Sequence, residues 1–264
     1  MNGSPGVTGQ GMSRNYKVSV ITAVLDDVEN LPGVIDSVAG QDYPNLEYII
    51  VDGDSTDGTL DLIERHREVV DCCVTGPDSG IAEAMNKGLK QASGDLLLFL
   101  HADDRLVDAS ALSRTVAEVD SLDAIWAFDI LLGEGDAQVR CAARPFNIWT
   151  RFKNPLPHQG VLCPRRLFDR LGQFDTSLCI DMDYDLWLRA YLAGMPLRRV
   201  HKVLAVMGSD GISSRRDWAG LSARFREERR VQERHASGSF WLCLYWLYWP
   251  LYLGYRRLRM VFGH

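Results

Sequence analysis

Over the first 130 residues, short apolar runs alternate with stretches of helical periodicity. Lys17–Val24 (KVSVITAV), Leu46–Asp52 (LEYIIVD), Val69–Thr75 and Asp95–Leu100 (DLLLFL) read as strands. Nearly continuous apolar runs suit strands covered on both faces, as in a parallel sheet. Between them the period lengthens. Asn30 stands where a cap is expected for a helix through Ala39, Thr59–His66 is predicted helical, and Gly80–Ala92 places Ile81, Met85 and Leu89 on one helical stripe. Such repetition implies right-handed crossovers and an α/β architecture: a Rossmann-like, mostly parallel sheet with helices on both faces. Ligands of these sheets bind beyond the C-terminal ends of the strands.

After about residue 131 the pattern is less regular. Asp123–Leu132 and Gln138–Ala143 predict a hairpin across Gly133–Asp136, and Arg144–Leu156 a loop with aromatic anchors. Gln159–Cys163 reads as a short strand, with Pro164 as the first residue of a helix. Asp181–Ala193 is a predicted helix closed by Gly194, Leu197–Met207 the last strand, and Trp218–Arg234 an Arg/Glu-rich helix. The segment Phe240–Tyr255 (FWLCLYWLYWPLYLGY) carries no charge, and RRLR follows at once. As a helix it would span roughly 24 Å, short of the ~30 Å hydrocarbon core. Trp and Tyr favour the headgroup boundary and Arg attracts anionic lipid, so a helix lying in the interface is expected. A buried helix, an oligomer contact and an integral anchor are the alternatives.

The chain of 264 residues is 46% hydrophobic and 24% charged, which excludes a disordered or fibrous chain and fits one large domain with an appendage. The net charge of −6 conceals an asymmetry. Residues 215–264 hold ten Arg against four acids, whereas the rest holds 19 basic and 31 acidic residues. An acidic body argues against nucleic acid as partner, and the basic tail suits an anionic surface. Six cysteines without any C-x-x-C form neither a disulfide framework nor a zinc pattern, and imply a reducing cytoplasm. Residues 1–15 are Gly/Ser-rich without an apolar run and read as a flexible leader, not a secretory signal.

The unusual residues lie at the predicted strand ends. The first strand ends in Thr22-Ala23-Val24, with no G-x-G-x-x-G after it to cradle a dinucleotide. The second runs into Asp52-Gly-Asp-Ser-Thr-Asp-Gly58, where turn chemistry explains the later residues but does not require an acid at 52. The DLLLFL strand runs into His101-Ala102-Asp103-Asp104. Two adjacent acids beside a buried strand suit a hard divalent cation, or else a solvated turn. Asp181, Asp183 and Asp185 open an otherwise apolar helix, where its dipole favours them; one is a candidate general base.

Taken in order, SVITAV, IIVDGDSTDGT, PDSGIAEAMNKGL, GDLLLFLHADD, HQGVLCPRRLFDRLGQFD and DMDYDLWLRAYLAG resemble the family-2 inverting glycosyltransferases of GT-A fold, over about Lys17 to Ser214. The likeness is nearest to bacterial transferases that build polysaccharide repeat units or glycolipids. The resemblance implies a GT-A domain over 16–214; residues 215–264, beyond it, read from their charge and aromatic run as a basic, helical, membrane-associating tail. The resemblance also implies that Thr22, Ala23 and Asp52 hold the nucleotide, and that Asp78, Gly80, Asn86 and Lys87 line the nucleotide-sugar pocket. Asp103 and Asp104 match the ribose and metal acids, with Mg²⁺ or Mn²⁺ as cofactor; Asp183 matches the catalytic base; His158 and Gln159 line the acceptor side. Asp210-Gly211-Ile212-Ser213 resembles a loop that closes over the diphosphate.

The implied activity is metal-dependent, non-processive transfer of a hexosyl group from a nucleoside-diphosphate sugar, UDP first among the bases. The acceptor is a lipid-linked sugar or glycan, with Phe240–Arg259 docked on the inner membrane leaflet and the protein peripheral to it from the cytoplasm. His101 stands where the family often has Asp or Asn, Met182 replaces the acid beside the base, and Asp54 replaces a Gly or Ser. No Q-x-x-R-W string follows, which sets the processive synthases aside. Two rival classes remain to compare: a protein of this fold that binds a nucleotide sugar or glycan without turning it over, and a nucleotidyltransferase. The latter usually has a Gly-rich loop and a basic residue after strand one, whereas LDDVEN stands here.

Overall fold

The computed structural model describes residues 15–133, 135–208 and 217–262. Strand β1 (Val18–Val24) lies in parallel between β2 (Leu46–Asp52) and β4 (Leu96–His101), and β3 (Cys72–Thr75) extends this parallel block beyond β2. Beyond β4 the pairing becomes mixed. β8 (Val161–Pro164) runs antiparallel to both β4 and β6 (Ile125–Leu132). β6 then pairs in parallel with β9 (Leu197–Met207) and antiparallel with β7 (Val139–Cys141), the predicted hairpin. β5 (Arg105–Leu106) closes the row against β9.

Alternate side chains along each strand point to opposite faces, so the apolar strands feed two cores. Ile21, Ile49, Val51, Leu97 and Phe99 pack under α3 (Ile81–Gln91), α5 (Arg166–Leu171) and α6 (Met182–Leu192). Val18, Val20, Tyr48, Ile50, Leu98 and Leu100 pack under α1 (Leu31–Ala39), α2 (Thr59–Arg65) and α4 (Ala111–Val116). The three-layer arrangement leaves the strand ends as the place where helices from one face and loops from both meet.

Three local expectations shift. β3 is shorter than Val69–Thr75, because the amides of Val69 and Val70 turn back to the carbonyl of His66. Gln159 lies in a short 3-10 turn, His158–Gly160, rather than in the strand. There Gly160 is pressed so close to the backbone of β6 that a Cβ would meet the Phe128 carbonyl oxygen at 2.6 Å. Pro164 does not open a helix: it ends β8 opposite Leu96, and the next amide, Arg165, still donates to Asp95 O at 3.0 Å. The helix α5 begins two residues after Pro164, at Arg166, with Arg165 as its cap.

The tail folds as two helices, α7 (Trp218–Arg234) and α8 (Ser239–Phe262), around a small core of Leu221, Phe225, Tyr245 and Trp249 joined by Phe152. The opposite side of α8 leaves Phe240, Trp246, Leu247, Leu251 and Tyr255 exposed. Among the described residues, no helix is long and apolar enough to cross a membrane.

At the far end of the sheet, Glu47 gathers Lys17 Nζ at 2.7 Å and the amide and hydroxyl of Ser93, both at 2.6 Å, besides the Ser19 hydroxyl. Partial burial would raise this carboxyl, but the hydrogen bonds from Lys17, Ser19 and Ser93 outweigh it and hold it at about 2. A depressed folded value stabilises above the unfolded value of 4.5 and fades as pH falls toward 2. Glu47→Gln is therefore expected to cost about 1–2 kcal/mol at pH 7. Thermal melts of the two proteins should converge as the buffer is taken through that acid window; a constant gap would contradict the assignment.

Candidate functional site

Sheet register assembles the site. Ala23 pairs with Val51 on one side and His101 on the other, and Val24 pairs with Asp52. The ends of β2 and β4 thus lie two strand spacings apart, roughly 10 Å, on the same edge. Asp52 is buried. Its Oδ1 accepts the amides of Asp54 and Ser55 at 3.0 and 2.9 Å, forcing the tight turn, while Oδ2 has no protein partner. Asp78 reaches the same turn: a Cβ on Gly53 would sit 3.1 Å from its Oδ2. The other oxygen of Asp78 accepts the amide of Gly80 at 3.0 Å, where φ of 136° favours glycine and α3 begins.

At the end of β4 the chain folds back on itself. Asp104 Oδ2 accepts the His101 amide at 2.8 Å, and its Oδ1 lies 3.5 Å from Gln159 Nε2. The residue is 2% exposed, and burial pushes its carboxyl up to about 6. Gly208, just past β9, lies flush on Asp103, where a Cβ would meet Oδ2 at 2.5 Å. The His101 ring packs edge-on against His158 with centroids 4.7 Å apart, and burial followed by the His158 charge lowers His101 to about 3, leaving it neutral. His158 Nδ1 faces Asp183 Oδ2 at 3.4 Å, and its buried Nε2 has no protein partner.

The three acids that open α6 have different fates. Asp181 is buried with an unpartnered Oδ2, and desolvation, with the charges of Glu228, Asp183 and Glu227, raises it to about 9; it is protonated at neutral pH. Asp185 is tied to Arg189 at 2.8 Å and His235 at 2.7 Å; burial opposes its ionisation, but those partners win and hold it below the usual range. Asp183 instead faces the strand ends, with Asn154 Nδ2 3.1 Å from both of its oxygens. The arrangement offers two adjacent acids, the second of them buried, at one strand end and a carboxylate oriented across from them by an amide and an imidazole. That is a cleft able to hold an anion through a cation and to take up a proton.

The profile of "Glycosyl transferase family 2" matches residues 19–165, more than half of the chain. The chain belongs to that family. The transferase is 31% identical over 202 residues to a PGL/p-HBAD biosynthesis glycosyltransferase of Mycobacterium bovis BCG, covering 71% of this chain and 75% of the relative. It is 28% identical over 197 residues to the Escherichia coli UDP-Glc:alpha-D-GlcNAc-diphosphoundecaprenol beta-1,3-glucosyltransferase WfaP, covering 70% and 74%. Its fold matches that of the mannosyltransferase PcManGT from Pyrobaculum calidifontis, solved in complex with GDP-Man and Mn²⁺. The TM-score is 0.67 at 19% identity, over 93% of this chain and 74% of that one. The sheet is accordingly a GT-A-like one.

Within the transferase, side-chain contacts join Asp104, Gln159, His158 and Asp183, and the turn after β2 joins Asp52 with Asp78. Ala23, in register between the two strand ends, sits on the shared edge. Other predicted residues support the cleft from behind. The Thr22 hydroxyl lies under Tyr48 OH at 3.2 Å, in the opposite core layer. Asn86 clamps the backbone of Phe174 with two bonds, at 2.9 and 3.0 Å. Lys87 Nζ bonds the carbonyls of Gly76 and Pro77 at 3.0 and 2.7 Å, bracing the segment that carries Asp78. The segment Asp210–Ser213 lies outside the described residues. Sequence reasoning missed Asn154, which sits in a loop without periodicity, and the edge-on packing of His101.

Proposed function

We propose that this transferase moves a hexosyl group, with inversion at C1 and one residue at a time, from a nucleoside-diphosphate sugar to a hydroxyl of a lipid-linked or glycan acceptor. The observation that carries the reading is Asp183: of the three acids at the start of α6, it is the one set beside His158 and Asn154, with Asn154 Nδ2 3.1 Å from both of its oxygens and His158 Nδ1 3.4 Å from one, while Asp185 is committed to Arg189 and His235. In this reading Asp183 takes the acceptor's proton while Asn154 and His158 hold its oxygens in place. A general base in that position is worth roughly 10²–10⁴ in rate. A single attack from the face opposite the leaving group inverts configuration, and no second carboxylate is needed as nucleophile.

Asp52, with its unpartnered buried Oδ2, is placed to accept a hydrogen bond from a base or ribose, and Asp78, at the Gly80 turn, closes the same subsite. Asp103 and Asp104 fit a hard divalent cation by donor chemistry. Asp104 is a buried carboxylate whose Oδ1 has only a 3.5 Å contact, and the charge it is reluctant to carry is what a cation would balance. Mg²⁺ or Mn²⁺ held there would supply Lewis-acid stabilisation to the leaving diphosphate. UDP is the preferred base, and a polyprenyl-diphosphate-linked sugar the preferred acceptor, by analogy with the substrates in the name of WfaP. Nucleotide release from UDP-glucose, UDP-GlcNAc and GDP-mannose with Mn²⁺ tests the reading. Binding without turnover of any of them would favour a carbohydrate-binding protein of the same fold.

The acceptor's lipid gives the tail its place. The exposed apolar stripe of α8, followed by Arg256, Arg257 and Arg259, suits a helix lying on an anionic leaflet at the cytoplasmic face, with residues 16–214 as the transferase domain and 215–264 as its docking appendage. Replacing Trp246 and Leu251 by Ser removes two exposed apolar anchors, and is expected to weaken partition onto vesicles containing phosphatidylglycerol at least about tenfold. Unchanged co-sedimentation would remove the membrane from the account.

A further inference from the structure

The tail touches more than its own core. The four residues 151–154 run from α8 to the site. Arg151 lies over the Trp241 ring at 4.2 Å, and Phe152 packs edge-on against Tyr248 and Tyr245 at 5.2 and 5.6 Å. Lys153 sits over the Tyr252 ring at 4.2 Å and pairs with the buried Glu228 of α7 at 2.8 Å. The next residue, Asn154, is the amide that holds both oxygens of Asp183.

A second route passes through Gln232, which is fully buried. Its Oε1 accepts Trp249 Nε1 from α8 at 2.9 Å; its Nε2 donates to Phe152 O at 3.1 Å and approaches Tyr184 OH at 3.5 Å, beside Asp183 in sequence. A third contact fixes the start of α6: the Glu227 carboxylate accepts the amides of Cys179, Ile180 and Asp181 at 2.8–3.1 Å. An ion pair held mostly out of water contributes little net stability compared with apolar side chains of similar size, but it fixes geometry. Here the geometry it fixes ends at the base.

We propose that Lys153, Glu228 and Gln232 are positioning residues for Asp183, so that the aromatic hairpin sets the angle of the base as well as meeting the lipid. The inference rests on the reading of Asp183 as the base. A carboxylate displaced by an ångström loses much of its rate advantage while the donor subsite, built from β2 and β4, is untouched. The signature is a fall in kcat without a rise in donor KM.

The test measures kcat and donor KM with whichever of UDP-glucose, UDP-GlcNAc and GDP-mannose the wild-type chain turns over fastest with Mn²⁺. Replacing both partners of the pair, Lys153→Met with Glu228→Met, leaves no buried charge behind and is expected to keep the melting temperature. It should lower kcat about tenfold with donor KM within about twofold, and Lys153→Arg alone should restore most of the rate. Gln232→Glu keeps the acceptor for Trp249 but loses the donor to Phe152 and Tyr184; it should reproduce the loss, and serves if the paired variant does not fold. A kcat within twofold of wild type in the folded variants, or a loss carried by donor KM, overturns the positioning role. Asp183→Asn measured alongside separates the two ideas. If it too turns over normally, the base assignment falls and the positioning role with it; if it is impaired while the tail variants are not, only the positioning role falls.

Discussion

Asp183→Asn is expected to lower kcat at least about a hundredfold while leaving affinity for the nucleotide within about twofold. Asn keeps the size of the side chain and one acceptor oxygen, but has no capacity to take a proton. Among the described residues, the side chain of Asp183 meets Asn154, His158 and its own helix's Tyr184 amide. None of these partners belongs to the turn at Asp52 or to the Asp78 segment, so in the proposed reading nucleotide binding is spared. The flanking acids cannot stand in for it. Asp181 is already protonated, and charging it beside Glu228 and Glu227 in a desolvated site is unfavourable. Asp185 is held by Arg189 and His235. Steady-state kinetics beside nucleotide titration decide the matter; a variant with normal kcat removes Asp183 from the chemistry.

The second large effect is expected at Asp104. Asp104→Asn retains an oxygen for the His101 amide, so the turn after β4 survives, but removes the charge that would hold a cation. Stabilising the charge that gathers on a leaving diphosphate is worth about 10²–10³ in rate for a single well-placed group. Turnover with Mn²⁺ is therefore expected to fall by that order, and added Mn²⁺ up to millimolar concentrations should not restore it. Excess EDTA should silence the wild-type enzyme to a similar degree. Asp104→Asn with undiminished, EDTA-sensitive turnover would move the cation elsewhere in the cleft.

Much of this was legible in the sequence because the parallel block is written in a simple code. Strands buried on both faces are continuous apolar runs, and β1, β2 and β4 start and end within a residue of where those runs do. Acids at the ends of such runs stand out, since burying a carboxylate without purpose is costly. That logic singles out Asp52 and Asp104 without any view of their contacts, whereas Asp183 is marked by its place in the first turn of an apolar helix and by the family resemblance. It reads type and position, not direction. Thr22, Asn86 and Lys87 sit among site residues in sequence, yet each is spent on a neighbouring element: Tyr48, Phe174 and the Gly76–Pro77 carbonyls. Whether a side chain on a strand end or on α3 faces the cleft or the scaffold depends on which element is packed against it. Asn154 shows the converse. Nothing in the string KNPLP marks it, because its role exists only once the loop has been drawn across α6 by the aromatic packing of Phe152. Pro164 was misread for a related reason. Its fixed φ suits a helix start and a strand end alike, and the ladder to Asp95 decides between them.

In the proposed function one cleft divides its labour, with the Asp104 end holding the metal and diphosphate and the Asp183 end serving the acceptor. The most direct measurement is calorimetric titration of UDP into wild type, Asp104→Asn and Asp183→Asn, each with and without Mn²⁺. The account predicts that Mn²⁺ tightens UDP binding at least about tenfold in wild type and in Asp183→Asn, and has no effect in Asp104→Asn. Equal tightening in all three proteins, or its loss in Asp183→Asn as well, would contradict it.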